Sequence, residues 1–320
     1  MKGRVTVDRI RYDRSHNRKT LGKRILRHWE LYLFLVPALV YIIVMNYGPM
    51  YGVLIAFQDY KPRKGMSGSE WVGLKHFIRL FGMANFGTYM KNTLILSFYS
   101  LLAGFPLPIV LALAMNSSRH RGFAKVVQTA TYAPHFISMV VVVSMINVIF
   151  APTTGIVSSI LNKLGIIHGP LTTLMTAEAF PHLYVWSGVW QSLGWDSIIY
   201  MGALSSVDDS LHEAALIDGA TKWQRIVHID FAMILPTIVV MLILRSGSIL
   251  SVGFEKAFLM QNDLNLARSE IISTYTYKMG ISQGQYSFSS ALGLFNSVIN
   301  FAMVMLVNFI SRKVTETSLW

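Results

Sequence analysis

Three ionisable side chains set the terms for any chemistry in this sequence. Asp196 and Arg245 each fall inside a long apolar stretch. An ionised side chain there costs ~2.5–3.5 kcal/mol at the centre of a bilayer, so both must face protein or water. Either they pair as polar glue between helices or they line a path for a solute. The third, Glu213, stands in a polar segment in the pattern Ser210-x-x-Glu213, the spacing of a capping box at a helix N-terminus. Trp190 and Asn147 are further candidates for such a path, and His135 is a polar group suited to hydrogen-bonded packing.

Other chemistries lack their residues. There is no cysteine, hence no thiol nucleophile and no thiolate metal site. The nine histidines show no H-E-x-x-H or related spacing, so no metal site is expected. No G-x-x-x-x-G-K-[ST] loop occurs to cradle phosphates, and no G-x-S-x-G elbow. Glu178, Glu255 and Asp263 are too scattered for a glycosidase pair. We expect no catalytic residue and no cofactor bound by this chain.

The elements that must position these groups are membrane helices. Only 14% of the 320 residues are charged, against about a quarter in soluble domains. Apolar stretches at 31–57, 92–115, 125–150, 180–204, 231–253 and 286–310 predict six spans. Pro37, Pro49, Pro106, Pro108 and Pro134 fall inside the first three and should kink them. The first stretch outlasts a signal-peptide core and reads as an uncleaved anchor. Ten of the 28 basic residues, among them Arg4, Arg18, Lys23 and Arg27, precede it. That places an N-terminal arm, 1–30, in the cytoplasm, and accounts for the net charge of +12 without a nucleic-acid partner. The loops 116–124 and 205–230 and the tail 312–320 are then cytoplasmic. Their Arg119, Arg121, Lys222, Arg225, Arg312 and Lys313 agree. The loops 58–91, 151–179 and 254–285 are external, although the first is itself basic. Tyr60, Trp71, Tyr275, Tyr277 and Tyr286 in the external loops suit a lipid-interface belt or stacking on sugar rings.

The most informative segment runs from Ser205 to Pro236. The capping box at Ser210 and Glu213 opens a short helix bearing Leu211, Ala214, Ala215 and Ile217. Asp218-Gly219 stops it, with Gly219 in a conformation other residues resist. A second helix starts near Ala220, with Trp223, Ile226 and Val227 on one face. By pattern alone this is a helix–turn–helix, either resting on lipid headgroups or meeting a partner.

Glu213-Ala214-Ala215, Asp218-Gly219-Ala220, Gln224, Ile229 and Pro236 resemble the EAA loop of binding-protein-dependent ABC importer permeases. Phe231 and Ala232 replace that family's usual leucine-proline pair. Pro49-Met50-Tyr51-Gly52, Trp71 through Phe77, Pro134 through Ser138, Gly253 through Lys256, Tyr286-Ser287-Phe288 and Ser318-Leu319-Trp320 resemble the polysaccharide and lipo-oligosaccharide permease subfamily. The resemblance implies an all-α fold of the type I importer class, with a five-helix core over 92–311. It also implies a bacterial inner-membrane location. A second homologous permease, two ATP-binding subunits that hold the ATP and Mg, and an extracytoplasmic binding protein are the implied partners. The solute would be an oligosaccharide, and a uronate polymer would suit Arg245 and the basic external loop. Glu213, Ala214, Ala215, Asp218 and Gly219 would couple to the ATPase. A permease for another solute, such as a peptide, fits the loop equally. A stand-alone secondary transporter would show inverted repeats, which the sequence lacks.

Overall fold

The computed structural model describes residues 29–118, 120–251 and 253–315. The basic N-terminal residues before Trp29, Arg119 and the Ser318-Leu319-Trp320 ending lie outside them. The chain divides into two compact units at Leu54 and Ile55.

In the first unit, helix α1 (Trp29–Ile42) carries Pro37 inside it. A π turn over Ile43–Tyr47 and a short helix with Pro49 in its first turn follow. Pro49 lacks an N–H to lose there, so the run continues. The helical run Trp29–Phe57 is long and apolar enough to cross a bilayer.

The second unit begins with a two-stranded hairpin, β1 (Gln58–Asp59) and β2 (Glu70–Trp71), paired antiparallel with Gln58 opposite Trp71. The helices α2 (Lys75–Phe81), α3 (Phe86–Gly104) and α4 (Pro106–Asn116) follow. Pro106 sits at the first position of α4, so the break at Phe105 separates two helices of one long run, Phe86–Asn116.

The expected third span is not a straight helix. The chain turns by 100° between α5 (Arg121–Tyr132) and α6 (Met139–Ile149). Pro134 opens a tight turn over Ala133–Phe136 that ends the first helix, and Ser138 caps the second by accepting from the Val141 N–H. The bend's Ile137 carbonyl accepts a hydrogen bond from the Gln191 side chain at 2.9 Å. A small helix, α7 (Ile156–Lys163), comes next.

Helix α8 (Phe180–Leu204) is the central element and packs against α3, α4 and α5. Its Gly194 lets the backbones of α8 and α5 meet. A Cβ there would lie 2.3 Å from the Thr131 carbonyl oxygen. The helix matches the expected fourth span in position, but Gln191, Ser192, Asp196 and Ser197 make it too polar to count among the apolar ones. A helix walled by other helices tolerates such residues, because protein rather than lipid satisfies them.

The chain continues through α9 (Asp209–Ile217), α10 (Lys222–Arg225) and α11 (Ala232–Ser246). A π turn over Ile226–Phe231 joins the last two, so Lys222–Ser246 is one helical run. The second helix expected near Ala220 is therefore the start of the same helical run as the expected fifth span.

The expected external loop 254–285 is not loose chain. It contains α12 (Phe254–Met260), α13 (Leu266–Ser269) and α14 (Ile272–Tyr277). It is pinned to the bundle from inside. Asn92 Nδ2 donates to the Ala267 and Glu270 carbonyls at 2.9 Å each, and Thr93 Oγ1 accepts from the Ile272 N–H. The buried Glu270 carboxylate accepts from Thr274 Oγ1 and pairs with Lys278. Buried Lys256 donates to the Tyr184 carbonyl at 2.6 Å. The last helix, α15 (Tyr286–Thr315), packs on α11.

Among the described residues four helical runs are long and apolar enough to cross a bilayer, and the bent pair makes a fifth. The hydrophobic core lies around α8. One cluster joins Leu96, Val142, Val185 and Ile271, and a second joins Ile109, Ala112, Tyr200, Leu204 and Ile234.

Candidate coupling loop and polar path

The segment between α8 and α11 is built to hold one shape. Asp208, not Ser210, caps α9: its carboxylate accepts from the Ser210 N–H at 2.9 Å. The expected Ser210–Glu213 box is absent because Asp208 supplies a stronger acceptor two residues earlier, which leaves Ser210 inside the first turn. Two hydrogen bonds to the N–H and O–H of Ser210 hold the Asp208 carboxyl below the usual carboxylate range. Glu213 then stands on the open surface in mid-helix, free of the capping role.

The far end closes with paired reverse bonds. The Ala220 N–H donates to the Ala215 carbonyl at 2.8 Å and the Gly219 N–H to the Leu216 carbonyl at 3.1 Å, a Schellman motif. Gly219 has φ +77°, and no heavy atom lies within 4 Å of where its Cβ would be. Backbone handedness alone therefore selects glycine here. A capping box follows at once: Thr221 Oγ1 accepts from the Gln224 N–H, and Gln224 Oε1 accepts from the Thr221 N–H at 2.7 Å.

Between these caps no residue of α9 is buried. Leu211, Leu216, Ile217 and Trp223 are apolar and exposed, Ile217 by 87% and Trp223 by 72%. Ala215, Asp218 and Gly219 line a 370 Å³ groove with Gln224, Arg225 and His228.

A polar junction ties this surface to the bundle. Asp230, only 3% exposed, accepts from Asn116 Nδ2 at 3.2 Å and lies 3.2 Å from His212 Nε2. One carboxylate thus joins the end of α4, the middle of α9 and the π turn that leads into α11. Reading the sequence for motifs missed all three residues. The signal was a lone carboxylate, Asp230, between Ile229 and Phe231 at the start of an apolar run.

Asp196 and Arg245 form an ion pair, which bridges α8 and α11. Arg245 lies in the last turn of α11 rather than mid-span, where the helix dipole favours a cation. It also borders a 270 Å³ cavity with Ser97, Ser100, Tyr184, Ser248 and Ser251. Trp190 belongs elsewhere. It is half exposed and lines a largely apolar 470 Å³ cavity with Met145, Ile149, His182 and Trp186. There the Trp186 indole donates to the Tyr99 hydroxyl, which lies 2.9 Å from His182 Nδ1. Asn147 is exposed on α6 and borders neither cavity. His135 stacks on Trp195 at 4.3 Å with rings 1° from parallel, a packing contact. The four path candidates therefore do not converge on one site. Among the described residues no group of three or more potential ligands could hold a metal ion.

Helical spans that carry polar contacts, joined by a rigid exposed loop, define a class: residues 104–316 match the binding-protein-dependent transport system inner membrane component family, and the chain belongs to it. More particularly, it is 41% identical over 309 residues to the polygalacturonan/rhamnogalacturonan transport system permease protein YteP of Bacillus subtilis (strain 168), covering 96% of this chain and 95% of that one. Protein LplB of the same organism is 41% identical over 290 residues, 91% of each chain. Among solved structures, one chain of a bacterial ABC transporter that imports the acidic polysaccharide alginate superposes with a TM-score of 0.84. It is 39% identical over 92% of this chain and 99% of that one. A second structure of the alginate transporter, in complex with alginate pentasaccharide-bound periplasmic protein, superposes equally well over 93% of this chain.

Proposed function

We propose that this chain is one of two homologous transmembrane subunits of an ATP-driven importer for fragments of an acidic polysaccharide. Its six spans are α1 with the helical turns after it, the α3–α4 run, the bent α5–α6 pair, α8, the α10–α11 run and α15. Both termini are cytoplasmic. Hydrolysis of ATP, with its Mg, takes place in a separate pair of ATPase subunits, and a loaded binding protein docks on the external side. The alginate, polygalacturonan and rhamnogalacturonan named for its relatives support an acidic solute.

The observation that carries the coupling role is α9 itself. It is capped at both ends, buries nothing and presents Leu211, Leu216 and Ile217 to solvent, and Trp223 of α10 is exposed as well. Exposed apolar surface of this kind marks an interaction site. A helix so fixed transmits a push as a body, and the Asp230 junction passes the push to α4 and the fifth span. Glu213 supplies a negative group on the same surface for a cationic partner. Arg245, paired with Asp196, borders a hydroxyl-lined cavity, and Trp190 lines a largely apolar one; these are the surfaces along which a sugar chain passes.

The absence of native cysteine makes the test direct. Ile217→Cys in the assembled transporter should crosslink to an ATPase subunit, with ATP changing the yield. It should resist a membrane-impermeant maleimide applied from outside. Labelling from the external side, or no capture of an ATPase, overturns the reading.

A further inference from the structure

Helix α2 has two opposed faces, and the chain covers one of them. Stepped at about 100° per residue, His76 and Leu80 share one side of the helix, while Leu74 at its start, Ile78 and Phe81 share the other. His76 and Leu80 are buried, Leu80 in a cluster with Phe288 and Leu292 of α15. The opposite side is bare: Leu74, Ile78 and Phe81 are exposed by 61%, 72% and 61%. Lys75 and Arg79 fall between the two faces and are exposed, so charge borders the apolar stripe along one flank.

Three aromatic rings fix what lies against this stripe. Phe81, Phe86 and Phe295 meet pairwise with ring centroids 5.6 Å apart. They join the stripe to the first residue of α3 and to α15, and both helices belong to runs long and apolar enough to cross a bilayer. Beyond Phe295, α15 bares Val298 and Phe301, so the stripe continues into the outward apolar surface of a span. The same helix gauges depth. Arg79 lies 4.4 Å from the centroid of the Phe288 ring, near the helix head, whereas Phe81 touches Phe295. Seven residues of helix separate those two contacts, ~10 Å along its axis. The charged flank therefore sits at the head of α15 and the end of the stripe farther in.

From this placement we infer that α2 is a lipid anchor: Leu74, Ile78 and Phe81 insert among the acyl chains at the bilayer rim, and Lys75 and Arg79 stay with the headgroups. A helix with an apolar side and a charged flank lies in the plane of the interface, its apolar face ~5–10 Å into the boundary. Contiguous exposed apolar surface marks a contact, and continuity with the span surface makes lipid the occupant. Trp71, exposed on β2 just ahead of the stripe, is a side chain suited to the same boundary. The anchor holds the hairpin at a fixed height, because Asp59 of β1 grips Lys75 at 2.6 Å. That the leaflet is the outer one rests on the proposed topology; the contact with lipid does not.

The chain has no cysteine, so a nitroxide can be placed at one position at a time. The full chain carrying Ile78→Cys, spin-labelled in phosphatidylcholine vesicles, should be relaxed by dissolved oxygen and hardly by a water-soluble nickel chelate, at a depth of ~5–10 Å. Phe81→Cys should read no shallower, and Lys64→Cys on the hairpin should meet the nickel freely. The same readings should hold in the assembled transporter with its other subunits made cysteine-free. Equal nickel access at positions 78 and 64 puts the stripe in water and overturns the inference. Protection of position 78 from both reagents, in the chain or only after assembly, means that protein covers it and overturns the inference as well. Leu74→Cys, at the other end of the stripe, gives the same test should Ile78→Cys fail to fold. Lys64→Cys should also react with an impermeant maleimide added outside; reaction from inside alone sinks the proposed topology and leaves the lipid contact standing.

Discussion

Two inter-span segments of similar length solve opposite problems. The loop from Ser205 to Phe231 presents α9 with nothing buried and its apolar residues outward. The segment from 254 to 285 turns its polar groups inward, with Lys256, Asn265, Ser269, Glu270 and Thr274 all buried and each holding a protein partner. The first leaves its apolar side chains uncovered by the chain itself. The second is complete within the chain and braces α3 and α8. Sequence polarity alone does not separate the two cases; the direction in which the polar groups point does.

The contrast can be broken from either side. The largest effect should come from the inward segment. Glu270→Ala removes the acceptor for Thr274 and leaves Lys278 unpaired, and breaking this pair costs about 3 kcal/mol, the low end for a buried pair because Lys278 keeps part of its side chain in solvent. Thermal unfolding in detergent should show it as a lower midpoint, with assembly lost before any specific transport defect. On the outward loop, Gly219→Asp should leave insertion and unfolding almost unchanged. It forces a side chain into φ +77° and tilts α9, so ATP hydrolysis stimulated by the loaded binding protein should fall on the order of tenfold. Glu213→Ala should lower coupled hydrolysis less, with insertion again intact. If Gly219→Asp lowers stability as much as Glu270→Ala does, the two segments are not of different kinds.

Between these extremes lies Asp230→Ala, at the seam of loop and bundle. It should cost ~1–3 kcal/mol because Asn116 loses its acceptor, and it should also reduce coupling. A stability loss with full coupling would remove the junction from the transmission path. The smallest change should follow Asp208→Ala, about 1 kcal/mol of helix stability, seen as faster amide exchange confined to the first turn of α9.

Much of this was readable from residue types. The long apolar runs and the left-handed glycine at 219 follow from length and backbone handedness, and the pairing of Asp196 with Arg245 is one of the two outcomes that the cost of isolated charge allowed. Other features escaped for physical reasons. Pro134 announced a kink, but a kink of 100° needs a donor such as Gln191, far along the chain, to satisfy the opened carbonyl. Ser210 fits a capping pattern, yet the preceding Asp208 wins because a carboxylate accepts more strongly than a hydroxyl. The segment 254–285 reads as loop because its helices are short and polar, and their partners, Asn92 and Thr93, lie on α3.

The π turn over Ile226–Phe231 has a consequence for how motion crosses the membrane surface. Such a turn accommodates one residue more than an α-helix would use over the same rise. It is a spare tooth between Trp223 and the bundle. Were it to migrate or straighten, everything upstream would swivel by about 100° about the helix axis, one residue's step. A gear change of that size needs no hinge, no loop and no break in the backbone.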